Sequence, residues 1–223
     1  MRVDLHVHTC YSPDSLTPPE ALWFWARRRG LDALAITDHN TIAGALALAQ
    51  EAPLTVIVGE EIRTTAGEII GLFLRQEIPA GLTPRETVAR IHAQGGLVYI
   101  PHPRDRWRRS SALAQEALWE IIAEVDILEV WNARVTFAQD NREALALAQE
   151  YGLLRGAGSD AHQGHEIGQA YVELPPFHDA PTFLRSLAQG AVHGHTSPPL
   201  VHLGSSWAKL AKGLLPRPLK FSG

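Results

Sequence analysis

The chain has 223 residues, 45% hydrophobic and 20% charged, with 20 Lys and Arg against 24 Asp and Glu, and 11 His. That length makes one domain able to bury most of its apolar surface without staples, and the single Cys, Cys10, excludes an internal disulfide. A net charge of −4 argues against wholesale nucleic-acid coating, no apolar run approaches the about 18 residues of a membrane span, and MRVDLHVHT is too polar for a secretory signal, so the expectation is a soluble, cytoplasmic chain.

In chain order, short apolar runs read as strands at Val3–Val7, Ala33–Thr37, Leu54–Val58, Ile69–Leu74, Leu97–Pro101, Asp126–Trp131, Leu153–Gly158 and Ala170–Leu174. Helical patterns lie between most of them, at Pro18–Arg29, Thr41–Gln50, Pro84–Gln94, Ala112–Glu124, Phe137–Tyr151 and Pro181–Gln189. The first helix has a readable start and stop. Thr17 can cap it, Pro18 suits its first position, Glu20 completes a capping box, and Gly30 follows its last turn. Near-continuous apolar strands alternating with helices predict parallel strands joined by right-handed crossovers. Without a glycine-rich dinucleotide fingerprint, such units predict an α/β fold of the closed, barrel kind rather than a doubly wound sheet. Residues 180–223 carry +5 and no acid, which leaves −9 on the remainder. A helix near Ser205–Lys212 packing Trp207 and Leu210 is expected there, with a frayed end after Pro216.

The informative residues stand where these strands end. His6 and His8 close the first; Asp38 and His39 follow the second; Glu60 and Glu61 follow the third. His102 follows the fifth, and Asp160 and His162 follow the seventh. In a parallel barrel all strand C-termini share one face, so these groups converge, and strand alternation points His6 and His8 the same way. Most other histidines (His92, His165, His178, His202) read as surface or satisfied core residues, and the His193/His195 pair follows no clear strand and is left structural. Asp38 alone is readable as a helix cap. Jointly, imidazoles and carboxylates at five strand ends have no packing rationale, and unpaired they would be expensively desolvated. A metal cluster resolves the conflict. Nitrogen and oxygen donors without thiolate suit Zn, Mn or Fe without choosing among them.

In this order, His6-x-His8, Thr37-Asp38-His39, Gly59-x-Glu61, Pro101-His102-Pro103 and Gly158-Ser159-Asp160-x-His162 resemble the polymerase-and-histidinol-phosphatase (PHP) family. The resemblance runs from residue 1 to about 195, leaving 196–223 as a C-terminal helix and tail. It implies a distorted seven-stranded, TIM-like β/α barrel with two or three divalent metals, and mainly phosphoesterase activity. Carried over, His6, His8, Glu61 and Asp160 would hold one ion. Glu61 would bridge to a second held by His102, and Asp14, His39 and His162 would make a third site. Trinuclear members have a further His after the fourth strand. Here that stretch reads Ile70-Gly71-Leu72-Phe73-Leu74, so the second site is expected to lack one protein ligand.

The expected activity is hydrolysis of a small phosphomonoester or nucleotide, with metal-activated water as nucleophile and no covalent enzyme intermediate. Leaving-group assistance stays open between the third ion, Asp38 and His39. Arg104 and Arg134 are expected to clamp phosphate, whereas Arg108 and Arg109 read as a charged loop, and Asn132 as ligand, water-positioner or cap. The alternatives are a phosphodiesterase or nuclease acting on nucleic acid, a non-catalytic metal-binding module, and an amide or lactone hydrolase. The acidic body and scattered Trp disfavour nucleic acid as partner.

Overall fold

The computed structural model describes residues 1–197 and 201–214, apart from the side chains of residues 202, 203 and 214. The expectations for the tail after Pro216 and for the His202 side chain lie outside the described residues. Among the described residues nine strands form one sheet: β1 (Arg2–Val7), β2 (Ala33–Ile36), β3 (Thr55–Thr64), β4 (Gly67–Leu72), β5 (Leu97–Ile100), β6 (Ile127–Asn132), β7 (Leu154–Gly158), β8 (Ala170–Glu173) and β9 (Ala191–Gly194). Seven α-helices among the described residues lie between or after them: α1 (Pro19–Arg29), α2 (Ala43–Glu51), α3 (Pro84–Ala93), α4 (Gln115–Ile121), α5 (Ala138–Tyr151), α6 (Ala180–Leu187) and α7 (Val201–Leu214). None is long and apolar enough to cross a membrane.

The strand order is β7-β6-β5-β4-β3-β2-β1-β8-β9, and the sheet curls until β7 meets β1. His8 N–H donates to Ala161 O (2.9 Å) and Asp160 N–H to His6 O (2.7 Å). The molecule is thus the expected α/β barrel, nearly closed, with more strands than seven. Its strands are not all parallel, because β3/β4, β4/β5, β1/β8 and β8/β9 pair antiparallel. The reason at β4 is the two-residue link Thr65–Ala66, far too short for a parallel crossover. The link leads into Gly67 at φ +126°, a conformation that disfavours any side chain. This hairpin carries β3 six residues beyond the expected end at Val58, so Glu61 lies inside a strand, opposite Ile70.

Apolar faces follow the sequence pattern. Leu22 and Ala26 of α1 and Ala45 and Leu48 of α2 pack with Leu34 and Ile36. Val88, Ile91, Leu118 and Leu147 of α3, α4 and α5 cover Ile69, Val98, Ile100 and Leu128. Phe183 and Leu187 of α6 join Phe177, Leu5, Ile57 and Tyr99. Two local expectations fail. The capping box at Thr17 does not form, because the Thr17 hydroxyl donates to His162 O (3.0 Å) and α1 starts after Pro18. Trp207 and Leu210 do not pack, being 65% and 54% exposed; α7 instead buries Val201 and Ala208.

Closure depends on Gly158. A Cβ there would overlap the Cβ of His6 and stand 2.8 Å from a Glu129 oxygen, so only glycine lets β7 come this close to β1. Gly158→Ala is expected to destabilise the fold by about 1–3 kcal/mol, read as a lowered urea midpoint. An unchanged midpoint would mean the seam has room to spare.

Candidate metal centre

Alternation along β1 sends Asp4, His6 and His8 to one side, all fully buried. His6 and His8 bring their Nε2 atoms within 3.1 Å of each other, and these lie 3.4 and 3.2 Å from Glu61 Oε2. Asp160 Oδ1 completes the group at 3.7 and 3.5 Å from the same two nitrogens. On one side His102 Nε2 meets Glu61 Oε1 (3.2 Å); on the other His39 Nδ1 meets Glu61 Oε2 (3.3 Å). Asp14 Oδ2 lies 3.2 Å from His39 Nε2 and 3.3 Å from His162 Nε2. Two of these residues adopt left-handed backbone, His102 at φ +31° and Asp160 at φ +54°, a conformation costly for side chains other than Gly and concentrated at functional positions.

The structure therefore brings together His6, His8, Asp14, His39, Glu61, His102, Asp160 and His162. Glu68 joins them, although the sequence reading passed over it. It stands on β4 with Oε2 3.9 Å from His102 Nε2, its other oxygen accepting from Arg63 (3.2 Å). The second donor group is thus Glu61, Glu68 and His102, with a carboxylate from β4 as its third member. An acid within an apolar strand was the available signal. Glu129, in the apolar run of β6, carried the same signal. One of its oxygens accepts from Tyr99 OH (2.9 Å) and faces His6 Nδ1 (3.1 Å); the other accepts from His102 N–H (2.7 Å) and Asn132 Nδ2 (2.9 Å). Such a carboxylate fixes the ring and tautomer of His6.

Three expected placements differ. Arg104 is turned away, donating to Gln115 (3.4 Å) with its guanidinium over Trp119. Arg108 takes the inward position, bonded to Asp160 Oδ2 (2.5 Å) and Asp105 Oδ2 (2.7 Å). Asp105 causes the exchange: its Oδ1 accepts from the Trp107 and Arg108 amides and folds the loop back on itself. Asp38 does not line the cavity, and both its oxygens accept from Thr9 (N–H 2.6 Å, hydroxyl 2.7 Å), holding the loop after β1. His193 stacks on Tyr171, and neither it nor His195 joins the cluster.

Burial opposes ionisation of Glu61, yet the neighbouring His6 and His39 charges and the His102 hydrogen bond hold its carboxyl well below the usual range. Burial likewise opposes Asp160, and the Arg108 guanidinium outweighs it. His8 is lifted to about 10 against its burial by hydrogen bonds to Asp160 and Glu61, whereas burial beside His8 and Arg134 drops His162 to about 3. The carboxylates face imidazole nitrogens, an arrangement that a divalent cation satisfies with the rings neutral. Convergent Nε2 atoms, acceptor oxygens and no thiolate fit such ions, and four donor groups each have their atoms within 4.8 Å of one another. The cluster opens into a cavity of about 110 Å³ whose remaining wall is Arg108, Ser111, Arg134, Ser205 and Lys209.

Comparisons with known proteins agree with the fold. The family described as PHP-associated matches residues 138–192. An uncharacterized protein of Methanocaldococcus jannaschii is 41% identical over 176 residues, covering 78% of this chain and 70% of its own. Among solved structures, a two-domain protein of Bacteroides vulgatus containing a predicted PHP-like metal-dependent phosphoesterase superposes with TM-score 0.66 at 20% identity, covering 87% of this chain and 65% of that one. The lesion-specific endonuclease PfuEndoQ of Pyrococcus furiosus gives TM-score 0.63 at 15% identity, over 86% of this chain and 57% of its own.

Saturating Mn²⁺ or Zn²⁺ at 100 times its dissociation constant is expected to add about 2.7 kcal/mol of stability, seen as a rise in Tm that a chelator reverses. Glu68→Ala should bind one ion fewer per chain by elemental analysis. Unchanged stoichiometry would remove Glu68 from the donor set.

Proposed function

The chain belongs to the PHP family, and on that premise we propose that it is a metal-dependent phosphoesterase acting on a small phosphomonoester or nucleotide. The observation that carries this reading is the two-sided cavity, with imidazoles and carboxylates on one wall and guanidinium, ammonium and hydroxyl groups on the other. His6, His8, Glu61 and Asp160 would hold one ion, Glu61, Glu68 and His102 a second, and Asp14, His39 and His162 a third. Zn, Mn and Fe all suit the donors. When bound, such ions lower the pKa of a coordinated water toward about 7 and neutralise charge on phosphoryl oxygens.

The chain's own residues supply the rest. Glu129 orients His6 through Nδ1 and fixes the backbone of His102 through its amide. Arg108 neutralises the outer oxygen of Asp160, leaving the inner oxygen turned to His6 and His8. Arg134 is a positioning residue rather than a clamp. It is buried and donates to Asp160 O (3.3 Å), Val201 O (3.1 Å) and Ser205 Oγ (3.0 Å), which holds α7 at the cavity. We take the catalytic unit as residues 1–195 together with α7. His39, at the cavity wall and 18% exposed, is the member of the donor set nearest solvent. A second reading, a phosphodiesterase acting on nucleic acid, draws on Trp107, 66% exposed within the Arg106–Arg109 run, where a base could stack.

The test is turnover of p-nitrophenyl phosphate after chelation and restoration of Mn²⁺, Zn²⁺ or Fe²⁺, beside bis-p-nitrophenyl phosphate. The expected result is metal-dependent turnover favouring the monoester. A preference for the diester would move the assignment to a phosphodiesterase, and inactivity with every metal would overturn it.

A further inference from the structure

Both arginines at the cavity are committed to protein acceptors: Arg108 to two carboxylates, Arg134 to two carbonyls and a serine hydroxyl. Lys212 is committed too, donating to the carbonyl oxygens of Cys10 (2.6 Å) and Ser12. Lys209 differs. Its side chain is 62% exposed, lines the cavity and forms an ion pair of 3.4 Å with Asp14 Oδ2. Asp14 is already met on that same oxygen by His39 and His162.

The helix that carries Lys209 is fixed at both ends. Arg134 holds its first turn through Val201 O and Ser205, and Lys212 holds its far end against the loop after β1. Ser205 and Lys209, four residues apart, share a helix face and both reach the cavity. The pinning explains why α7 turns this polar face inward while Trp207 and Leu210 stay in solvent. An ammonium on a flexible stem, held over a cavity of about 110 Å³, suits a compact dianion entering from the mouth. The space accommodates a terminal phosphate group, with any larger substituent left outside.

We propose that Lys209 is the specificity-determining cation of this site, recognising the dianionic terminal phosphate of the substrate and favouring monoesters over internal diesters. This rests on the phosphoesterase reading for the word substrate; recognition of phosphate itself does not. The test uses the 223-residue, metal-loaded chain as wild type, Lys209→Met and Lys209→Arg. Inorganic phosphate binding is measured by calorimetry, KM and kcat with p-nitrophenyl phosphate and its bis-ester, and metal content by elemental analysis. Lys209→Met is expected to weaken phosphate binding roughly ten-fold, equivalent to about 1.4 kcal/mol. It should raise KM for the monoester similarly with a smaller change in kcat, and lower the preference for monoester over diester. Metal content should stay as in wild type, and Lys209→Arg should recover most of the phosphate affinity.

Phosphate binding equal to wild type in Lys209→Met overturns the proposal, even if ester hydrolysis continues and the phosphoesterase reading stands. A parallel loss of metal also overturns it, because Lys209 would then support the donor set. A chain that hydrolyses neither ester yet binds phosphate through Lys209 retains this assignment and loses the phosphoesterase reading.

Discussion

The constraint on which the structure depends is the seam where β7 meets β1. Two backbone hydrogen bonds, Asp160 N–H to His6 O and His8 N–H to Ala161 O, bring the HxH strand beside the segment carrying Asp160 and His162. Gly158 makes room for that approach. Everything in the cluster is downstream of it. Without the seam, His6 and His8 would face an open sheet edge, Asp160 would sit elsewhere, and Glu61 would have only His39 and His102 to neutralise it. Burying this much polarity is unfavourable unless every group finds a partner of opposite character. The chain supplies most of those partners in layers: carboxylates face imidazoles, and Glu129, Tyr99, Asn132 and Arg108 hold the carboxylates and rings from behind, while the Nδ1 atoms of His8 and His102 are left without one.

Strand ends were the readable part of this design. A ligand placed just past an apolar run announces itself, because the run fixes the strand and the polar residue has no business in the core. His6, His8, His39, His102, Asp160 and His162 were all marked in that way. Glu68 and Glu129 were harder, since each lies within a strand and looks like one polar residue among many until the facing wall is known. The hairpin after β3 hid Glu68 further. A reading that ends β3 at Val58 places Glu61 in a loop and leaves β4 to start at Ile69, one residue too late to include the acid.

The loop after β5 shows a second limit. Four arginines in six residues, Arg104 to Arg109, cannot be ranked by composition, and proximity to His102 favoured Arg104, whose side chain lies against Gln115 and Trp119. What decides is the turn built by Asp105, whose side chain captures two amides and reverses the chain so that Arg108 reaches Asp160. The same holds for α7. Amphipathic pattern alone assigns Trp207 and Leu210 to the core, yet Arg134 and Lys212 bind the helix by its polar face. Tertiary hydrogen bonds to charged side chains overrode the hydrophobic stripe, and no local signal in residues 201–214 foretold it.

Fold and donor geometry meet in one proposal: Glu61 turns one oxygen to His102 and the other to His6, His8 and His39, so that it would be shared between ions on either side as a single coupled centre. Electron paramagnetic resonance of the Mn²⁺-loaded chain tests this most directly. A shared carboxylate predicts an exchange-coupled spectrum that collapses to isolated-ion signals in Glu61→Ala. Isolated-ion signals from the unaltered chain at full occupancy, or no retained Mn²⁺ at all, would contradict it.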